Sequence, residues 1–477
     1  MTVEAVTPTD AADDATDVAA DVTPPEVFLA REIPWTGERP KARAADEGIT
    51  DQDVSDWMDQ GGELSKTGKI GVRQLSQIKK WKKKKVVEPA PVEPETKPVV
   101  DLTPETVSSP DPYRREIEKA SDGRNTVLYD ARGNPSVMVV IPSFQVQDIH
   151  PDLGSGIHPA FLYNGKELSE IFVGRFLGSL SGNAAVSMPD QDPAVDVTLE
   201  QAWRYCNVMG PGWHLMTNAE WAALALLSYK SGAMPRGNTD YGRAHDQPDE
   251  MGVRADGGEP GTYHTVTPAS AQTLTGTGPA SWNHDNTPFG VSDLVGNVCE
   301  WVGGLRLFDG EINIVPHNNA ADYTLAPDPY AAYWHGIMEN NDLMPPGTPN
   351  AMKYDSVFEG SFGNIGPPII NYEVTKFNDS NLIDDGYASC MFSTLLSVFG
   401  VSIPWSLKQL ALYPPFVTLT ELGRSGLWVR NYGERIPFRG GNYQTGDPAA
   451  IFSLDLTSRR DFQANYIGFR PAYVDPS

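Results

Sequence analysis

Along residues 126–143 apolar and polar positions alternate on either side of a Gly133, Asn134, Pro135 break, which predicts two strands joined by a turn. Two helices follow, each announced by a capping box. Thr198 stands three residues before Gln201, with Ala202, Tyr205 and Cys206 at helical spacing behind it. Thr217 stands three residues before Glu220, with Trp221, Leu224, Ala225 and Ser228 continuing the period. Beyond Lys230 the chain is rich in Gly, Asn, Asp, Pro and aromatic residues, so packed loops and short strands are expected. Residues 309–422 read as an insertion without strong periodicity, except for an apolar run at 388–402 that predicts a buried helix. Near the C-terminus Ile451, Phe452, Leu454 and Leu456 anchor a strand, with Ser453, Asp455 and Thr457 alternating toward solvent.

The first part of the chain follows a different rule. Residues 1–123 read as a flexible acidic segment in which little could bury a core. Within it, Val54, Trp57 and Met58, then Ile70, Leu75 and Ile78, predict short helices at about 49–85. A Pro-rich stretch at 86–112 reads as an extended linker. The lysine run at 79–85 suits a solvated helix end paired with acidic sequence better than a nucleic-acid or membrane patch. Residues 124–477 are then the folded domain, with the segment acting as a tether to a larger assembly.

Composition narrows the function classes. The 477 residues carry a net charge of −25, which repels nucleic acid and anionic membrane over most of the surface. Hydrophobic residues make up 40% of the chain, too many for wholesale disorder. The apolar runs are far shorter than the roughly 18–20 residues that span a bilayer, and no secretory signal is visible. Three cysteines, Cys206, Cys299 and Cys390, make no disulfide framework and read as reduced thiols of a protein made in the cytoplasm. The histidines show no local ligand pair, the glycines no nucleotide loop, and the serines no nucleophile elbow. No local pattern announces a catalyst.

Three segments do carry a pattern. They are GPGWHLMTNAEW at 210–221, TPFGVSDLVGNVCEW at 287–301, and FRGGNY at 438–443 followed by IGFR at 467–470. In that order they resemble the formylglycine-generating-enzyme branch of the C-type lectin fold, over about 135–474. The resemblance implies an α+β domain, loop-rich, with short strands and two main helices. Trp221, Asn297, Glu300, Trp301, Arg439, Gly440, Gly441, Phe469 and Arg470 would be its scaffold. Buried Arg439 and Arg470 need carboxylate or carbonyl partners, for which Glu300 is a candidate. The glycines permit positive φ or close backbone approach before a strand.

The oxidase chemistry of that family needs a cysteine pair in and after the glycine turn, and residues 441–470 contain none. Thiolate chemistry cannot proceed without thiols, so no catalytic residues are assigned. Cys299 stands where the family usually has Trp.

Residues 433–470 further resemble the variable region of proteins diversified by retroelements, among them phage tropism determinants. The fixed apolar set maps to Ala449, Ala450, Ile451, Phe452, Leu454, Leu456, Ile467, Gly468, Phe469 and Arg470. Interleaved are Tyr443, Thr445, Asp447, Ser453, Asp455, Thr457, Ser458, Asp461, Phe462 and Tyr466, mostly residue types reachable from an Asn codon by changes at adenines. These are the expected ligand contacts, the strongest being Tyr443, Asp447, Asp455, Phe462 and Tyr466. Trp428, Arg430, Asn431 and Tyr432 are the rim candidates, and the variable region spans about 428–470.

The resemblance implies a binding protein without required cofactor, calcium being the one cofactor it allows; the metal ligands are unknown. Its partner would be a host-cell surface protein or glycan. A virion or carrier protein would be bound through the N-terminal segment, placing the chain on a phage tail or a cell surface. The rivals are an oxidase of the formylglycine-generating type and a carbohydrate-binding module of fixed specificity.

Overall fold

The computed structural model describes 111–476 apart from 264–269, 379–384 and 416–421, and before that only Ile49, Val54 and Ile78. The chain divides into two units, Met1–Thr106 and Val107–Ser477. Ile49, Val54 and Ile78 are buried, and Val54 and Ile78 are helical. The lysine run at 79–85 and nearly all of the Pro-rich stretch lie outside the described residues. No helix among the described residues is long and apolar enough to cross a membrane.

The second unit starts before residue 124. A helix at Pro112–Ser121, capped by Asp111, occupies the end of the stretch expected to be flexible. Tyr113 and Ile117 from it pack against Val127, Val137 and Phe176. Apolar residues one turn apart gave this helix a face to bury, and proline at its first position suits the start of a helix.

The strands expected at 126–143 form as Asn125–Tyr129 and Pro135–Pro142, paired antiparallel. They open a five-stranded sheet that continues through Glu170–Gly174 and Pro471–Tyr473 to Trp213–Leu215. Both capping boxes are made, opening helices Leu199–Asn207 and Asn218–Ser231. The second helix is buried on nearly every side, because its Ala, Leu and Trp residues lie at the centre of the main core. A second core gathers Trp301, Phe438 and Phe469 with Cys299 and Ile467.

Residues 309–422 are more ordered than their weak periodicity suggests. They supply most of an eight-stranded sheet that also includes Leu305–Phe308 and Glu434–Arg435. The buried helix expected at 388–402 does not form. Gly386–Met391 is a strand, Phe392–Thr394 a single 3-10 turn, and Leu396–Ser397 an edge strand. Leu396 and Phe399 of that run are exposed. Apolar content alone does not choose between helix and strand, and strand pairing to Gly426–Val429 decided it here.

The third sheet positions the tail. Its seven strands run Gly363–Asn364, Gly386–Met391, Gly426–Val429, Leu454–Leu456, Phe438–Arg439, Cys299–Trp301 and Ile467–Phe469. After Ile467–Phe469 the chain crosses directly into the five-stranded sheet as Pro471–Tyr473. The tail is therefore fastened at its far end into two sheets at once.

Candidate ligand-binding face

Register sorts the seven-stranded sheet into two faces. Trp428 lies opposite Asp455, Asp455 opposite Phe438, Phe438 opposite Trp301, and Trp301 opposite Phe469. Residues opposite one another in register share a face. The reverse face carries Leu427, Val429, Leu454 and Leu456 into the main core, together with Arg439 and Glu300. On the first face Phe438, Trp301 and Phe469 are covered, whereas Trp428 and Asp455 stay partly exposed.

The scaffold residues explain why the tail holds its course. Trp301 Nε1 donates to Val197 O at 2.9 Å, and its ring meets Phe438 edge-on. Trp221 Nε1 donates to Ile451 O at 2.8 Å, pinning the start of the apolar anchor. Arg470 donates to both Glu300 oxygens, at 2.9 and 2.7 Å, and to Gly174 O and Ser292 O. Arg439 instead donates to Asn218 Oδ1 and to the carbonyls of Leu410 and Ala411.

Asn297 sits in the left-handed region at φ 57° and exchanges hydrogen bonds with the Thr273 backbone. Gly440 and Gly441, at φ 87° and 75°, follow the strand Phe438–Arg439 rather than precede one. A Cβ on Gly440 would stand 2.5 Å from Leu294 O, so this turn admits only glycine.

The expected contact residues divide. Thr445, Asp447, Asp455, Thr457, Ser458, Phe462 and Tyr466 are partly exposed and Asp461 is exposed. Asp447 pairs with exposed Arg424 at 2.5 Å and lies 3.6 Å from His245. Phe462 and Tyr466 are both half-covered, packing onto the second core. Tyr466 is thus an anchor with an exposed edge rather than a free contact, and burial raises its phenol.

Two expectations are corrected. Tyr443 is 2% exposed, its amide bound to Asn297 O and its ring beside Tyr241, and burial pushes its phenol up to about 12. Ser453 is buried because its strand begins only at Leu454; its hydroxyl accepts from Ala450 N and donates to Pro448 O, closing a turn.

The rim divides in the same way. Trp428 and Tyr432 are partly exposed, Tyr432 meeting Phe377 edge-on. Arg430 and Asn431 are buried, contrary to the rim assignment. Arg430 ties the Gly386 and Thr457 carbonyls together, at 2.8 and 2.9 Å. Asn431 exchanges hydrogen bonds with Asn378. Both side chains are held inward by partners 27 to 53 residues away in sequence, a demand invisible in local sequence.

Residues that the sequence reading missed share the open face: Tyr387 and Ser389 from one strand and Asn364 from the next. No periodicity marked them, because their partners are distant in sequence.

Among the described residues, Asp455 is the carboxylate that these open strands present. Its Oδ1 accepts from Thr457 N at 2.8 Å and from Thr457 Oγ1 at 2.6 Å. Burial nevertheless pushes its pKa up to about 6, the two Thr457 bonds and the Arg430 charge opposing. A raised carboxyl pKa means that the folded state holds its proton longer than the unfolded one. The resulting cost is absent below about pH 4, grows toward pH 6 and is complete above it. Asp455→Asn is therefore expected to stabilise the protein at pH 7.5 by up to about 3 kcal/mol, at 1.36 kcal/mol per pKa unit. The gain should vanish at pH 4, as urea unfolding at the two pH values will measure.

The thiols are poor nucleophiles. Burial raises Cys206 and Cys299 well above the ordinary thiol range, and Cys390 to about 11. Among the described residues no three His, Cys, Asp or Glu side chains converge.

Residues 161–306 match the family model of the sulfatase-modifying factor enzyme 1-like domain. That stretch includes both capped helices and the Cys299–Trp301 strand, while the tail lies beyond it. No curated protein sequence matches the chain. Among solved structures, Treponema denticola variable protein 1 aligns with a TM-score of 0.28 and 12% identity, covering 73% of this chain and 98% of its own. Over residues 161–306 the chain is similar to a C-type-lectin-like domain of the sulfatase-modifying-factor type.

Proposed function

We propose that this chain is a ligand-binding protein whose C-terminal tail is a variable recognition surface diversified by a retroelement. The observation that carries the reading is the division within 443–466. Apolar residues Ile451, Phe452, Leu454 and Leu456 are buried, while Thr445, Asp447, Asp455, Thr457, Ser458 and Asp461 between and around them stay at least partly open. Their residue types can change without touching the core, which is what a surface needs if it is to vary while the fold survives. Short polar and aromatic side chains on a rigid support are also the composition of paratopes. A carboxylate kept at a stability cost on that surface fits a binding role.

The same reading assigns no enzymatic activity. Residues 441–470 hold no cysteine, and the three thiols of the chain are buried or half-buried with raised pKa. The ligand is a host-cell surface protein or glycan, recognised on behalf of a phage or prophage. Residues 1–123 begin as the attachment to a virion or carrier protein, their last turns joining the folded domain. The DNA beside the gene tests this. A reverse transcriptase gene and an adenine-rich near-copy of the tail's coding bases are expected there; an intact locus with neither would overturn the retroelement reading.

A further inference from the structure

The open face of the seven-stranded sheet extends past the tail. Two strands from 309–422, Gly386–Met391 and Gly363–Asn364, continue it beyond Gly426–Val429. Ser389 lies opposite Trp428, which lies opposite Asp455, and Asn364 lies opposite Tyr387. Asn364 Nδ2 donates to Ser389 Oγ at 2.9 Å, fixing the outer end of this strip. The burial pattern agrees, since Ala388 is buried while Tyr387 and Ser389 on either side are partly exposed.

The strip has a specific chemistry. Trp428 folds its ring over Gly426, where an added Cβ would stand 2.2 Å from the indole. Glycine thus leaves the indole room to lie flat along the sheet. Beside it, Asp455 uses Oδ1 for both Thr457 bonds. Its Oδ2 accepts no hydrogen bond from the described residues; the Arg430 charge acts on the carboxylate, but that guanidinium donates to the Gly386 and Thr457 carbonyls. Asn364, Tyr387, Ser389 and Trp428 carry no charge. A flat aromatic face next to one half-satisfied carboxylate is complementary to a cation, through cation–π attraction and a charge-assisted hydrogen bond together. A neutral surface would desolvate the carboxylate without return.

We propose that residues 309–422 supply one half of the recognition face. The face as a whole takes a protein partner that lays a lysine or arginine across Trp428 and against Asp455. This rests on the ligand-binding reading of the tail and adds to it a fixed flank and a partner chemistry.

Random peptides displayed on phage, panned against the immobilised full chain, are the probe. Recovered peptides are expected to carry Lys or Arg. Their affinity should fall about tenfold or more with Trp428→Ala, Asp455→Asn or Tyr387→Ala, as for central contacts. Ser389→Arg should weaken them likewise by placing a positive charge on the strip. Tyr330→Ala, at an exposed position of the same 309–422 stretch, should leave affinity unchanged, and thermal melting checks that each variant folds.

Peptides sensitive to Asp455→Asn but indifferent to both Tyr387→Ala and Ser389→Arg would remove 309–422 from the face and leave the tail reading standing. Binders without a basic residue would overturn the cationic partner. Indifference to all four substitutions would overturn this proposal, and the tail reading falls with it only if Asp447→Ala, Asp461→Ala and Phe462→Ala are without effect too.

Discussion

Glu300→Ala should destabilise the protein by about 3–5 kcal/mol, because it strands a buried guanidinium. Arg470 is fully buried and donates to both oxygens of Glu300, itself 1% exposed. Burial raises the Glu300 carboxyl even with Arg470 alongside, so desolvation weighs heavily on the pair. Without the carboxylate, Gly174 O and Ser292 O remain as acceptors but supply no counter-charge. Arg470 lies between the strands Ile467–Phe469 and Pro471–Tyr473, so its loss of a partner loosens the far end of the tail. The double variant Glu300→Met with Arg470→Met should cost far less than the sum of the single changes, as coupled neighbours do. Urea unfolding at pH 7 measures both. A Glu300→Ala cost below about 1 kcal/mol, as for a surface pair, would contradict the burial argument.

Trp301→Ala should be comparably severe. The indole is fully buried, meets Phe438 edge-on and donates to Val197 O. Removing it costs about 3–5 kcal/mol in lost transfer and cavity formation, and leaves a buried carbonyl unpaired. Asp461→Ala, on the exposed loop between the last two tail strands, should stay within about ±0.5 kcal/mol. Tyr466→Ala should fall between them, since Tyr466 packs on the same core as Trp301 while keeping an exposed edge. Equal costs for Trp301→Ala and Asp461→Ala would erase the distinction between scaffold and face.

Local signals in the sequence were reliable where the physics is local. Thr198 and Thr217 cap their helices because a capping box closes within four residues. The Glu300–Arg470 pair is long-range, and of the buried arginines Arg439 and Arg470 only Arg470 takes the carboxylate, Arg439 using Asn218 and carbonyls instead. The run at 388–402 was misread because long-range pairing, not apolar content, chose strand for Gly386–Met391.

Ser453 departs from the alternation for a related reason. The apolar anchor does not run as one strand: Ala450 and Ser453 close a turn, and the pleat starts at Leu454. The half of the open face contributed by Tyr387, Ser389 and Asn364 left no trace in local sequence, because register across distant strands created it.

The most direct measurement of the central claim is the sequence of the tail in sibling copies of this gene. Substitutions are expected to concentrate at Thr445, Asp447, Asp455, Thr457, Ser458, Asp461 and Phe462, chiefly at adenine positions of the template. Ile451, Phe452, Leu454, Gly468, Phe469 and Arg470, all buried, should stay fixed. Substitutions spread evenly over the domain, or striking buried and open positions of 443–466 alike, would contradict a surface built to vary.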